Sequence, residues 1–481
     1  MSTTTENTPT PTPTPTPYEI ITQLKNTSST LDKREILRNN KNNKLFRIVL
    51  TQTLDPRITF GIKKIPKYDK KDVKYTLEEA IKMLKPLSNR DITGNKATEY
   101  LKDLLSKLND EDEQIIKWII AKDFKSGFGI SLINDEMKPF GIYSVPYMGA
   151  VSYSEKRIND IFKNGYGISE VKMDGRYLNV VVSNNTVFTE SRGGKPNPLM
   201  KCLDEGALQL AKNLYMTDVV FNGELMFSGE KDRYTANGII SSFVSIVQKK
   251  FDGVDITKEL EKFEKRWNMT LDEAKDRINL VVWDFLPLEN YKEKKWDKIR
   301  IKRLEQLEQA CKNISTIHLI EYKKVYNKIE ALEHFQEMLQ RGEEGTILKS
   351  YNGIWKDGKP TYQCKMKLEI TVDLMITGFN YGTPGTKNEG VISSLNVESG
   401  DGLVKTSPGG ISEDDMQYIT DNMNDLYNKI IEVKCCGLSE DSNHNYSLLH
   451  PVFIKIRDDK YIADSYKDIK EVEEMAKGLK F

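Results

Sequence analysis

Histidine and cysteine are scarce in this chain of 481 residues, and that scarcity removes several chemistries at once. The four histidines (His318, His334, His444, His450) include no pair at metal-ligand spacing, so neither a histidine-built metal centre nor histidine-based hydrolysis is expected. The five cysteines (Cys202, Cys311, Cys364, Cys435, Cys436) contain no Cys-x-x-Cys pair, and two are adjacent. That argues against a zinc ribbon or a disulfide framework and fits a reducing compartment. No apolar run is long enough to cross a bilayer, and the opening Met1-Ser2-Thr3-Thr4-Thr5-Glu6 has neither the basic nor the apolar region of a secretory leader. A soluble, cytoplasmic protein is expected. Net charge is also missing: Lys plus Arg and Asp plus Glu number 71 each. The total is therefore silent about partners, since a neutral protein can still gather its basic residues on one surface.

The length is enough for about three domains. Residues 1–17 are a Thr-Pro repeat whose prolines remove backbone donors and restrain their predecessors, which predicts an extended, disordered tail. From 18 to 140 apolar residues recur at spacings of three and four, as in Ile20, Ile21, Leu24; Leu101, Leu104, Leu105, Leu108; and Ile115, Ile116, Ile119, Ile120. That predicts a small all-helical domain. Its lysine runs (Lys63-Lys64, Lys67, Lys70-Lys71, Lys74) and the segment Lys122 to Gly129, with Lys125 and Gly127, form either a phosphate-binding surface or a solvated face. From 143 to 368 strands such as Val180-Val181-Val182 and Leu280-Val281-Val282-Trp283 alternate with helices, predicted over 199–213 and 258–278, giving a mixed α/β domain. From 369 to 481 five short strands, a helix over 412–427 before the fourth and a closing helix over 468–477 suit a small Greek-key barrel of oligonucleotide-binding (OB) type. The whole reads as a multidomain α+β chain.

The chemistry centres on Glu170-Val171-Lys172-Met173-Asp174-Gly175-Arg176-Tyr177. Asp-Gly is a favoured hairpin dipeptide, so an ordinary turn is one account. The other is a lysine used as a covalent nucleophile, which can attack phosphorus as well as carbonyl carbon. The second account gains from the segments that come downstream in the chain, in this order: Ser191-Arg192-Gly193-Gly194; Asn222-Gly223-Glu224-Leu225; Val282-Trp283-Asp284-Phe285; Glu344-Gly345-Thr346-Ile347-Leu348-Lys349; Gln363-Cys364-Lys365-Met366-Lys367; and Arg457-Asp458-Asp459-Lys460. Together these resemble the motif series of the covalent nucleotidyltransferases, the polynucleotide ligases and mRNA capping enzymes. Ile36-Leu37-Arg38-Asn39-Asn40-Lys41, Thr93-Gly94-Asn95-Lys96-Ala97 and Trp283-Asp284-Phe285-Leu286-Pro287-Leu288 are further similar to segments of ATP-dependent DNA ligases of the T-even bacteriophages. The helical N-terminal region takes part in that resemblance, and RNA ligases and capping enzymes do not share it.

The resemblance implies ATP as adenylyl donor, Mg²⁺, nicked duplex DNA as substrate and a monomer that encircles it, in replication, repair and recombination; for a viral chain it implies the host cytoplasm. It implies that Lys172 is the nucleophile, with Lys365 and Lys367 beside it on the α-phosphate. Glu170 reads the adenine amino group, Trp283 stacks on the base, and Lys349 serves the same pocket or the DNA. Glu224 and Glu344 hold the metal, Glu224 also the ribose. Arg192 contacts ribose or 5′-phosphate, and Arg457 and Lys460 orient the pyrophosphate when the C-terminal barrel closes. Lys125, Gly127, Arg176, Arg192 and Arg233 are the implied DNA contacts. The family motif runs Lys-x-Asp-Gly-x-Arg, whereas here Arg176 comes one place early and Tyr177 stands where arginine is expected. Either a bulge brings Arg176 round or it does not take the role. An RNA ligase or a GTP-dependent capping enzyme is the alternative within enzymes; a nucleic-acid-binding relative without activity is the alternative outside them.

Overall fold

The computed structural model describes every residue except 1–13, 63, 200, 230–232, 385–387, 442 and 479–481, together with the side chains of 233 and 234. Most of the Thr-Pro repeat and Lys63 therefore lie outside the described residues. The end of the repeat does not remain extended. Pro17 opens the helix Pro17–Asn26, where its missing N–H costs nothing, and Thr16 caps it by accepting from the Glu19 amide at 3.2 Å while Glu19 accepts from the Thr16 amide at 2.7 Å.

Two compact units are formed. The first comprises the described residues up to Val145 with Gly193–Lys195 and Gln248–Ile256; the second is Pro146–Arg192, Pro196–Val247 and Thr257 onward. In the first unit the spacings of three and four do produce helices, among them Thr30–Asn39, Lys44–Leu54, Gly94–Ser106 and Asp110–Ala121. Their apolar faces share one core that includes Ile20, Leu24, Leu37, Phe46, Leu101, Leu105, Ile116 and Ile119. Lys125 and Gly127 lie exposed on the following loop, both with positive φ (51° and 65°). The loop is tied down where the buried Lys33 ammonium donates to the Ser126 carbonyl at 2.7 Å.

The second unit contains three five-stranded sheets. One runs, edge to edge, Val151–Ser152, Gln363–Lys367, Gly345–Ser350, Gly167–Val171, Tyr322–Val325; another runs Thr186–Ser191, Arg176–Ser183, Val219–Phe227, Ile278–Pro287, Ile317–Leu319. The chain passes from the first sheet to the second through Lys172–Gly175. The predicted helix over 199–213 starts only at Asp204, since Lys201 takes a left-handed φ of 61°. The helix predicted over 258–278 is two, Thr257–Trp267 and Leu271–Arg277: Asn268 turns left-handed (φ 51°) and Thr270 caps a new start. Helix Arg233–Phe251 was not anticipated.

The third sheet comes after Lys367 with the expected five strands: Lys405–Thr406, Ile392–Glu398, Ile370–Tyr381, Ile430–Cys435, Val452–Arg457 in spatial order, all antiparallel. Helices Glu413–Asp421 and Met423–Leu426 precede the fourth strand and Tyr466–Ala476 ends the unit, near the predicted ranges. Among the described residues the sheet's ladders do not close into the expected barrel. The edges of the sheet meet at one isolated parallel bridge, Gly409 to Val452, because the strand at Lys405–Thr406 is two residues long and runs into Pro408-Gly409-Gly410, which cannot sustain a ladder. Among the described residues no helix is long and apolar enough to cross a membrane.

Candidate active site

The crossing at Lys172–Gly175 sets the site. The Lys172 amide donates to the carbonyl of Gly345 at 2.8 Å, prolonging the pairing of Gly167–Val171 with Gly345–Ser350. At Gly345 φ is +136°, and an added Cβ would stand 2.2 Å from the Met366 carbonyl, so glycine is required there. Gly175 is needed for close approach: a Cβ would meet the Leu225 carbonyl at 2.6 Å, and its amide donates to Glu224 Oε2 at 2.9 Å. The Asp-Gly pair therefore does not make a hairpin; it lets one sheet hand the chain to the other beside a buried carboxylate.

A pocket of about 290 Å³ opens at this crossing. It brings together seven expected residues, Glu170, Lys172, Arg192, Glu224, Trp283, Lys349 and Lys365, with Tyr147, Tyr177, Ile347 and Lys359 also in its wall. The Lys172 ammonium donates to Glu344, which is not itself among the residues lining the pocket. Burial pushes the Glu224 carboxyl up to about 7, against the Gly175 amide and Lys172, which pull it down, while Glu344 and Asp174 add repulsion. Burial, then Lys367 and Lys172, lower the Lys365 ammonium. Burial also lowers Lys349, whose ammonium stands 2.6 Å from Glu170 Oε2.

Glu170 is almost fully buried and already engaged on both oxygens, by Lys349 and by Arg300, whose Nε donates to Oε1 at 2.9 Å. Arg300, Asp284 and Arg303 extend this into a buried ionic network; Arg303 donates to Asp284 at 2.7 and 2.9 Å. Burial works against these charges, yet Glu170 and Asp284 hold the Arg300 guanidinium above its ordinary value, and the two arginines hold Asp284 below its own. Sequence reading missed Arg300 and Arg303. They lie on helix Arg300–Ala310, where alternating basic and apolar residues look like an ordinary surface helix.

Other expected residues do not line the pocket. Lys367 shares a strand face with Lys365, but its ammonium donates to Cys436 Sγ at 3.2 Å and stands 3.5 Å from Glu369, polar partners after the pocket's last strand that draw it away. Arg176 pairs with Leu225 and Tyr177 with Glu224 in an unbroken register, so no bulge exists and Tyr177, not Arg176, faces the pocket. Arg457 and Lys460 are engaged by acids of the C-terminal sheet: Arg457 by Asp459 at 2.8 Å and Asp373 at 3.1 Å, Lys460 by Asp373 at 2.6 Å and Asp464 at 2.9 Å. Arg233 begins the helix Arg233–Phe251, and its side chain lies outside the described residues.

Asn222 is satisfied on both sides, donating to Asn179 at 2.9 Å and accepting from the Trp355 indole at 3.0 Å. Two carboxylates that sense each other across Lys172, one of them pushed towards neutrality by burial, are a donor set that suits a hard divalent cation.

Residues 148–367 match the family model described as the ATP dependent DNA ligase domain. In an alignment of 485 residues the chain is 27% identical to the DNA ligase of Enterobacteria phage T4, over 94% of this chain and 97% of the phage protein, and equally to that of Enterobacteria phage T6. The DNA ligase of Enterobacteria phage T3 is 25% identical over 66% of this chain and 96% of its own. A solved structure named Pmar-Lig_Pre shares the fold, with TM-score 0.70 at 22% identity over 93% of this chain and 100% of its own. Motifs, pocket and relatives point the same way: residues 148–367 match an ATP dependent DNA ligase domain, and the chain is similar over nearly its whole length to phage DNA ligases.

Proposed function

We propose that this chain is an ATP-dependent DNA ligase that seals 5′-phosphate/3′-hydroxyl nicks in duplex DNA by three displacements at phosphorus, with Lys172 as the nucleophile. One observation carries the reading: the Lys172 amine lies at a nucleotide-sized pocket beside the carboxylates of Glu224 and Glu344 and the ammonium of Lys365. In the first step the amine, its proton lost, forms a bond to the α-phosphorus of ATP while the bond to the bridging oxygen breaks and pyrophosphate leaves. In the second, a 5′-phosphate oxygen of the nick takes the adenylate from Lys172. In the third, the 3′-hydroxyl attacks the 5′-phosphorus and AMP departs. Such steps need positioning and charge neutralisation more than proton transfer.

Trp283 offers the flat face on which the base stacks, with Ile347 also in the wall. Glu170 has lone pairs left for the adenine amino group beyond those its two cations use. Lys365 neutralises charge at the α-phosphate; Lys367 joins it only after leaving Cys436. Lys349 fixes Glu170. Glu224 and Glu344 would hold Mg²⁺, which supplies neutralisation of phosphate charge when bound, and Glu224 would also meet the ribose. Arg457 and Lys460 reach the pyrophosphate by closure of the C-terminal segment 369–481, for which an OB-type fold is proposed from its strand and helix order. Arg192 is proposed on the ribose of the nucleotide as well as on the DNA, and Lys125, Gly127, Arg176 and Arg233 on the DNA, which a monomer would encircle during replication, repair and recombination in the host cytoplasm.

A nick-sealing assay on a 5′-phosphorylated duplex with Mg²⁺ tests this. Sealing with ATP and none with GTP is expected. Labelling by GTP would instead favour a capping enzyme, and preference for RNA nicks an RNA ligase.

A further inference from the structure

Three rings and a guanidinium form a continuous run of contacts in the wall of the pocket. Trp283 and Tyr177 have centroids 5.8 Å apart at 46°, Tyr177 and Tyr147 lie 5.1 Å apart edge to face at 80°, and the Arg192 guanidinium sits 4.2 Å from the centroid of Tyr147. All four residues line the pocket. The rings are anchored while the cation is not comparably enclosed. The Tyr147 amide donates to Asp357 at 2.8 Å, its carbonyl accepts from the Gly358 amide at 2.9 Å, and the Tyr177 hydroxyl donates to Asn179 at 2.7 Å. Arg192 is exposed on the turn after strand Thr186–Ser191.

Tyr177 also stands where the motif carries arginine, so this wall holds a ring in place of a second guanidinium. A lone exposed arginine keeps many rotamers, and ordering it on binding costs affinity; stacking it on a fixed ring removes most of that cost beforehand. We propose that Tyr147, braced by Tyr177, is a positioning residue for Arg192. It presents the guanidinium to the ribose-phosphate part of the nucleotide. The inference rests on the pocket being the nucleotide site.

The test is self-adenylation of the full-length protein against ATP concentration. Tyr147→Phe, which keeps the ring, is expected within about twofold of the unmodified protein. Tyr147→Leu is expected to raise KM for ATP about fivefold with little change in kcat, and to add nothing in an Arg192→Ala background. Equal losses in both backgrounds would overturn the proposal, because Tyr147 would then act independently of Arg192. Should Tyr147→Leu fail to fold, Arg192→Lys gives the same answer from the other side: a comparable rise in KM supports the planar stack, and an unchanged KM overturns it. Failure of the unmodified protein to form lysyl-AMP would instead count against the ligase reading itself.

Discussion

The Lys172 ammonium donates to the Glu344 carboxylate, and the Lys172 amide donates to the carbonyl of the next residue, Gly345, at 2.8 Å. The backbone bond sets the register that places acid against amine. An ammonium so paired is not a nucleophile, and a divalent cation offers Glu344 a competing partner that would release it. Glu344→Gln is therefore expected to slow self-adenylation by about a hundredfold and to shift its Mg²⁺ dependence to higher concentration. Rapid-quench adenylation across a Mg²⁺ titration checks this; an unchanged Mg²⁺ dependence would remove Glu344 from the metal site.

Glu224, with its carboxyl raised from 4.5 to about 7, binds its proton more tightly folded than unfolded. Its contribution to stability is complete below about pH 4.5, falls as pH rises, and is lost above about pH 7. The span corresponds to about 3 kcal/mol. Thermal midpoints measured from pH 4.5 to 8 should fall more steeply for the unmodified protein than for Glu224→Gln. Mg²⁺, which favours the carboxylate, should reduce the difference.

The buried pairing of Arg300 with Glu170 and Asp284 makes Arg300 the most consequential position outside the pocket wall. Arg300→Met leaves two buried carboxylates short of a counter-charge and is expected to cost about 3–5 kcal/mol in urea unfolding. Lys359→Ala, at the pocket rim, should change stability by less than about 0.5 kcal/mol.

Arg457, engaged by Asp459, Asp373 and Glu432 and absent from the pocket wall, should matter for only one step. Arg457→Ala is expected to reduce self-adenylation by about a hundredfold while sealing of a pre-adenylated nick stays within about fivefold. Equal losses in the two assays would rule out a role confined to closure over ATP.

Much of this was legible in the chain itself. Leu101, Leu104 and Leu105 announced a helix face because apolar period and burial coincide there, and Lys172, Glu224, Trp283, Lys349 and Lys365 converge as their motif order implied. What escaped did so for physical reasons. Helix Arg233–Phe251 carries Ile239, Ile240, Phe243, Val244, Ile246 and Val247, a dense and largely β-branched run that gives no clean helical stripe. The hairpin Leu438–Glu440 with Tyr446–Leu448 has too few apolar residues to alternate. Lys367 obeys the two-residue period of its strand, but the direction of its amine depends on Cys436, sixty-nine residues away. Arg300 and Arg303 are buried only because Glu170 and Asp284 lie opposite, and pairing across distant elements leaves no local pattern.

The most direct measurement is intact-mass spectrometry of the protein mixed with ATP and Mg²⁺, then peptide mapping under conditions that spare a phosphoramidate. One adenylate per chain, located on Lys172 and lost in Lys172→Ala, is the expected result. No adduct, or an adduct carried by Lys365 or any other side chain, would contradict the account.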